Sequence, residues 1–120
     1  MKTTSIKYLL ALLLLALSAS PLLAQSQGEM NREAAASFAK ADAELNRVYA
    51  KVLATLDDEG RAKFKAAQRA WVAFRDAQAE FEMDNEARGG SMAPQIYEGF
   101  RARITKARVA QFKELLGEKK

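Results

Sequence analysis

The sequence predicts an all-α protein, an elongated antiparallel three-helix bundle that follows a cleaved export signal. Apolar residues recur by threes and fours in three blocks, and no stretch keeps up the alternation of a half-buried strand. Short segments rich in aspartate or glycine separate the blocks. Helices of roughly 25 to 30 residues, about 40 Å long, that are joined by such short links must run antiparallel to their chain neighbours.

Residues 1–24 read as a signal peptide and 25–120 as the folded domain. Met1 to Lys7 carries two lysines and no acid, and Tyr8 to Leu17 is a nearly unbroken apolar run dominated by leucine. Those are the charged and apolar regions of a secretory signal. A helix that crosses a bilayer needs roughly 20 apolar residues, whereas this run meets Ser18, Ser20 and Pro21 at about half that length. Cleavage is therefore expected after Ala24, so that the mature chain starts at Gln25. No cysteine stands near the cut to carry a lipid. The expected product is periplasmic or secreted, with no membrane anchor.

In the first block Ser26-Gln27-Gly28-Glu29 has the form of a capping box, and Phe38, Ala41, Leu45, Val48, Val52 and Leu56 follow as one apolar stripe. Asp57, Asp58 and Glu59 supply a cap and favourable charge for a second helix, whose start is left partly positive by unpaired amides. Phe64, Ala67, Trp71, Phe74, Gln78 and Phe81 repeat the spacing there, with Asp76, Glu80 and Asp84 near the opposite side. Gly89-Gly90 ends that helix. Ser91 is placed to cap a third, with Pro94 tolerated in the first turn, where a missing amide costs nothing. Tyr97, Phe100, Ile104, Ala107, Gln111 and Leu115 mark its expected inner side and Gly117 its end.

The net charge of +4 shrinks on processing: without Lys2 and Lys7, 17 basic residues face 15 acidic ones, a net +2. That is too little to argue for nucleic acid or anionic lipid, which demand clustered cations. The chain has no cysteine, so in an oxidising compartment packing alone must hold the fold. A domain of about 100 residues can do so by burying roughly two thirds of its unfolded surface. The lack of histidine and cysteine also removes the commonest general base, the thiol nucleophile and the usual zinc ligands. No catalytic constellation, metal site or cofactor is expected.

Polar groups nevertheless reach the inner faces. Asp42, Asn46 and Tyr49 stand at i, i+4 and i+7 on the first helix, Gln68 and Arg75 flank Trp71 on the second, and Thr105 and Arg108 flank Ile104 on the third. An unpartnered buried charge is costly, so Asp42 and Asn46 are expected to bond Arg75 or Arg108 across the bundle and fix its register. A catalytic carboxylate is the weaker reading, because no second acid joins Asp42 on an inner face. Tyr49, Trp71, Phe74 and Phe100 are the expected core anchors.

Taken together, Met30-Asn31, Ala41-Asp42, Leu45-Asn46 with Tyr49, Ala67-Gln68-Arg69-Ala70-Trp71, Phe74-Arg75-Asp76-Ala77, Gly89-Gly90-Ser91-Met92-Ala93-Pro94 and Ile104-Thr105 with Arg108 resemble the LprI-like lysozyme-inhibitor domain. The resemblance runs through essentially the whole mature chain. It implies a small helical protein of bacterial envelopes, non-enzymatic, whose namesake is a lipoprotein that inhibits lysozyme. It also places the family's usual cysteines at Glu33, Ala79 and Phe100, so the bond that would tie the second helix to the third is absent, with Phe100 expected to replace it by packing.

Lysozyme works with two carboxylates in a cleft, and many lysozymes are strongly cationic, so an inhibitor gains from an acidic face and a projecting group. Asp76, Glu80, Glu82, Asp84 and Glu86 form the concentrated acidic run, and it leads into the glycine turn. The expected partner contact is therefore Glu80, Asp84, Glu86, Gly89, Gly90 and Ser91. The same acids also read as a solvated helix face with the glycines as a plain terminator. The alternative function is a structural or stress-related envelope protein that binds another envelope protein or peptidoglycan, with Arg101, Lys106 and Lys113 as its basic surface.

Overall fold

The computed structural model describes the backbone of residues 2–118 and the side chains of residues 26–118. Three helices make it up, α1 (Lys2–Thr55), α2 (Asp58–Ala87) and α3 (Ala93–Leu115), with no strand among the described residues. The chain divides into two units, 1–30 and 31–120. The first is the opening part of α1, and side chains of the expected signal segment lie outside the described residues. In the second unit the remainder of α1 joins α2 and α3 in a bundle.

Local chemistry explains most of the boundaries. The Asp57 carboxylate caps α2 by accepting from the Gly60 amide at 2.8 Å, and Asp58 and Glu59 occupy the first turn. Just before it, the Arg61 Nε donates to the Leu53 carbonyl at 3.0 Å, satisfying an end group of α1. Gly89, at φ 68°, takes the left-handed conformation that stops α2, and Gly117, at φ 72°, does the same after α3. Pro94 sits in the first turn of α3, as its missing amide allows.

Two expected caps are not used. α1 passes through Ser26 without a break, because a single mid-helix glycine at Gly28 costs only about 1 kcal/mol. Ser91 does not cap α3 either. The capping position falls on Met92, which makes no side-chain bond, and the Ala93 amide donates to the Gly90 carbonyl at 3.1 Å instead.

Leu45, Val48 and Val52 of α1 meet Val109 and Phe112 of α3 in the core, with Tyr49, Leu56, Phe64, Trp71 and Leu116 packed around them. Phe64 holds its ring centroid 5.0 Å from both Tyr49 and Phe112. Contacts between α2 and α3 descend one helix as they climb the other: Phe64 with Phe112, Gln68 with Arg108, Asp76 with Arg101. Between α1 and α3 they climb together, Phe38 with Arg101, Glu44 with Lys113, Lys51 with Glu118. The bundle therefore runs up, down and up.

The stripe expected on α1 is the buried one, but α2 and α3 are turned from their expected phase. On α2 Arg75 and Ala79 are buried, whereas Phe74 is 57% and Phe81 63% exposed. On α3 Ala102, Thr105, Val109 and Phe112 face inward, and Ala107, Gln111 and Leu115 face solvent. Among the residues turned inward are the small Ala79 and Ala102, 0% and 4% exposed.

Candidate functional site

Inside the bundle the polar groups assemble around guanidinium groups. Arg75, 4% exposed, donates through Nη1 to Asp42 Oδ1 at 3.3 Å and through Nε to Asp76 Oδ1 at 2.8 Å. Arg101 reaches the same Asp76 oxygen from α3 at 3.1 Å and also bonds Glu98. Rings close the remaining faces. Phe38 lies beneath both Arg101, at 3.7 Å from guanidinium carbon to ring centre, and Arg75, at 5.0 Å. Trp71 stands between Arg75 at 5.3 Å and Arg108 at 5.5 Å, and Arg108 also covers Phe112 at 4.7 Å. The result is a ladder of alternating aromatic rings and guanidinium groups linking all three helices. Stacking of this kind suits arginine, whose flat cation is weakly hydrated.

Charge follows from these contacts. Burial pushes the Asp76 carboxyl up, but the hydrogen bonds and charges of Arg75 and Arg101 outweigh it and hold the group below the ordinary carboxylate range. Arg108 has neutral hydrogen-bond partners, Gln68 at 3.3 Å and Gln111 at 3.1 Å, and burial lowers its pKa. These contacts join the three helices to one another at matching heights.

Of the residues expected in the network, Asp42, Gln68, Arg75 and Arg108 come together as described. Asn46 does not join them; it is exposed, one helical turn beyond Asp42 on a side that α2 and α3 leave open. Thr105 is fully buried, yet its hydroxyl finds no hydrogen-bond partner among the described residues. Tyr49 and Trp71 are partly buried against the core, and Phe100 is half-buried with Arg103 over its ring at 4.4 Å. Phe74, expected as an anchor, points to solvent.

Phe38, Asp76 and Arg101 also belong to the network, although the sequence alone places Asp76 on the acidic outer face and Arg101 on a basic outer one. A signal was present in the Arg75-Asp76 neighbours and in Phe38 four residues before Asp42. Lys113 is likewise engaged, donating to Glu44 at 2.7 Å, a bond that holds the Glu44 carboxyl below its ordinary range.

At the far end of α2, Glu80, Asp84, Glu86, Gly89, Gly90 and Ser91 are all exposed. Asp84 holds Arg88 of the next turn through both carboxylate oxygens, and that hydrogen bonding lowers its pKa. Glu82 accepts from Gln78 at 3.0 Å. Glu86 lines a shallow groove with Ile96, Gly99, Phe100 and Arg103. The surface thus combines open carboxylates with a Gly89-Gly90-Ser91 segment of small residues, flanked by the exposed side chains of Arg88 and Met92. Among the described residues no cluster of three or more acids could hold a metal ion, and no helix is long and apolar enough to cross a membrane.

Comparison with known proteins adds to this geometry. A protein of Rhizobium meliloti (strain 1021), itself uncharacterized, is 38% identical over 106 residues, spanning 78% of this chain and 76% of the relative. No solved structure matches the chain. The model of the family described as lysozyme inhibitor LprI matches residues 19–112, a span that takes in the arginine ladder, the acidic end of α2 and the glycine turn. The chain belongs to the LprI lysozyme-inhibitor family.

Proposed function

We propose that this protein is exported to the periplasm, or beyond it, and acts there as a lysozyme inhibitor, not as an enzyme. The family match over residues 19–112 carries the reading. The acidic end of α2 supports it, because Glu80 and Glu86 are open to solvent beside an exposed Gly89-Gly90-Ser91 turn. Acids there would steer a cationic lysozyme, and a turn without bulky side chains would enter a cleft built to hold a polysaccharide. Asp84 contributes less than its charge suggests, since Arg88 already neutralises it.

The test uses the full sequence expressed with its own leader and recovered from periplasmic extracts, its N-terminus read by mass spectrometry. Gln25 is the expected first residue; an intact Met1 would reject the signal reading. The protein is then titrated into a peptidoglycan suspension lysed by c-type lysozyme, at low and physiological salt. Inhibition should saturate near one equivalent and weaken with salt. Glu86→Lys and Ser91→Trp, both at exposed positions, should each raise the half-inhibiting concentration about tenfold or more, as losing about 1.4 kcal/mol of contact would. Activity untouched by excess protein would reject c-type lysozyme as the target and bring forward binding of another envelope protein or of peptidoglycan.

A further inference from the structure

On the solvent side of α2, Ala67, Ala70, Phe74, Ala77 and Phe81 are all exposed. They follow one another at intervals of three, four, three and four residues, the spacing of a seam that meets another helix. Phe74 and Phe81 keep 57% and 63% of their surface in water, while the opposite side of α2 is already taken by Arg75, Ala79 and their partners. Neither ring belongs to the core cluster or to the arginine ladder. Two exposed phenylalanines in one apolar line call for a partner surface.

We propose that α2 pairs with α2 of a second copy of this chain, antiparallel, along this seam. Two features of α2 select that occupant. The first is charge. Arg61, Lys63, Lys65 and Arg69 outnumber Asp58 and Glu59 and make its first half basic, and Glu80, Glu82 and Glu86 make its second half acidic. An antiparallel copy sets basic half against acidic half at both ends, and a parallel one sets like against like.

The second feature is shape. With the two-fold axis between Phe74 and Ala77, Phe74 of each copy lies opposite Ala77 of the other, and Phe81 opposite Ala70. Each of those layers then sets one ring against one methyl group, the large-against-small alternation that packs without voids, and Ala67 at either end falls opposite Asp84. Such a contact is isologous and closes on itself as a dimer. The Gly89-Gly90-Ser91 turns fall beyond the seam, at opposite ends of the pair, so the proposal stands apart from the lysozyme reading.

Sedimentation velocity of the full chain as the cell exports it, from 1 to 200 μM, reads the mass directly. A concentration-dependent shift to twice the monomer mass is expected. Phe74→Glu and Phe81→Glu should each abolish the shift while the helical circular dichroism stays unchanged. Because the chain has no cysteine, a single introduced thiol reports the register. Position 77 lies three residues, about 5 Å along the axis, from its own counterpart in the pair, whereas position 70 lies eleven residues, about 16 Å, from its own. With a bismaleimide of about 10 Å reach, A77C should therefore cross-link to a dimer and A70C should not. Monomer mass up to 200 μM, a dimer indifferent to both glutamate substitutions, or equal cross-linking at the two positions would each overturn the proposal.

Discussion

Arg75 shows how one side chain can tie neighbouring helices together. Its guanidinium is buried, but two carboxylates and two rings meet it, so the desolvation cost is offset by contacts from α1 and α2 themselves. Asp76 is the shared acceptor that brings α3 into the same lock through Arg101. Its pKa is depressed in the folded chain, so the stability it contributes is present above the unfolded value near 3.9 and is lost as the pH falls through the lower, folded one. Thermal melting between pH 6 and 2 should show the midpoint falling below about pH 4. Asp76→Asn should melt lower at pH 6 and show a shallower decline on acidification. An unchanged acid profile in that variant would remove Asp76 from the lock.

At the scale of the element, helix ends divide into those fixed by a side chain and those fixed by backbone alone. Asp57 is of the first kind, since its carboxylate takes the Gly60 amide. Asp57→Ala should cost about 1 kcal/mol in urea unfolding. Ser91 is of the second, because the α3 entry rests on a backbone bond within the turn, so Ser91→Ala should leave stability within about 0.5 kcal/mol of the parent. Both sites have the composition of a cap. What separates them is the path of the chain: between Thr55 and Asp58 the link is too short for anything but a cap at Asp57, while the longer segment after Ala87 satisfies its own amides before the helix starts.

Across the whole bundle, the core sits where α1 brings Leu45, Val48 and Val52 against Val109 and Phe112, while α2 contributes rings and a guanidinium at its edge. No disulfide strengthens it, and Ala79, where the family's cysteine is expected, is instead a fully buried methyl. Phe112 and Phe74 make the sharpest comparison, because sequence spacing favours Phe74 as an anchor and the structure buries Phe112. Phe112→Ala should cost about 3 to 5 kcal/mol. Phe74→Ala, measured at concentrations low enough to keep the protein monomeric, should cost less than about 0.5 kcal/mol. Equal losses would mean that α2 is turned the other way.

The helical character of this protein, the number of helices in the bundle, the ends of α2 and α3 to within a few residues, and the stripe that α1 buries are all legible in the amino-acid sequence. Those features depend on neighbours a few residues apart, and periodicity and turn chemistry report such neighbours directly. A buried charge must find an opposite one, so the expectation that Asp42 and Asn46 bond Arg75 or Arg108 holds for Asp42 with Arg75. Which face of α2 and of α3 turns inward is set by contacts between helices, far apart in the chain. Spacing on α2 favours the line of Phe74 and Phe81, yet Arg75 and Ala79 turn inward, where rings and acids from the helices meet the guanidinium, and Phe74 and Phe81 are left outside. For the same reason the acidic run divides, with Asp76 drawn into the lock and Glu80, Asp84 and Glu86 left on the surface.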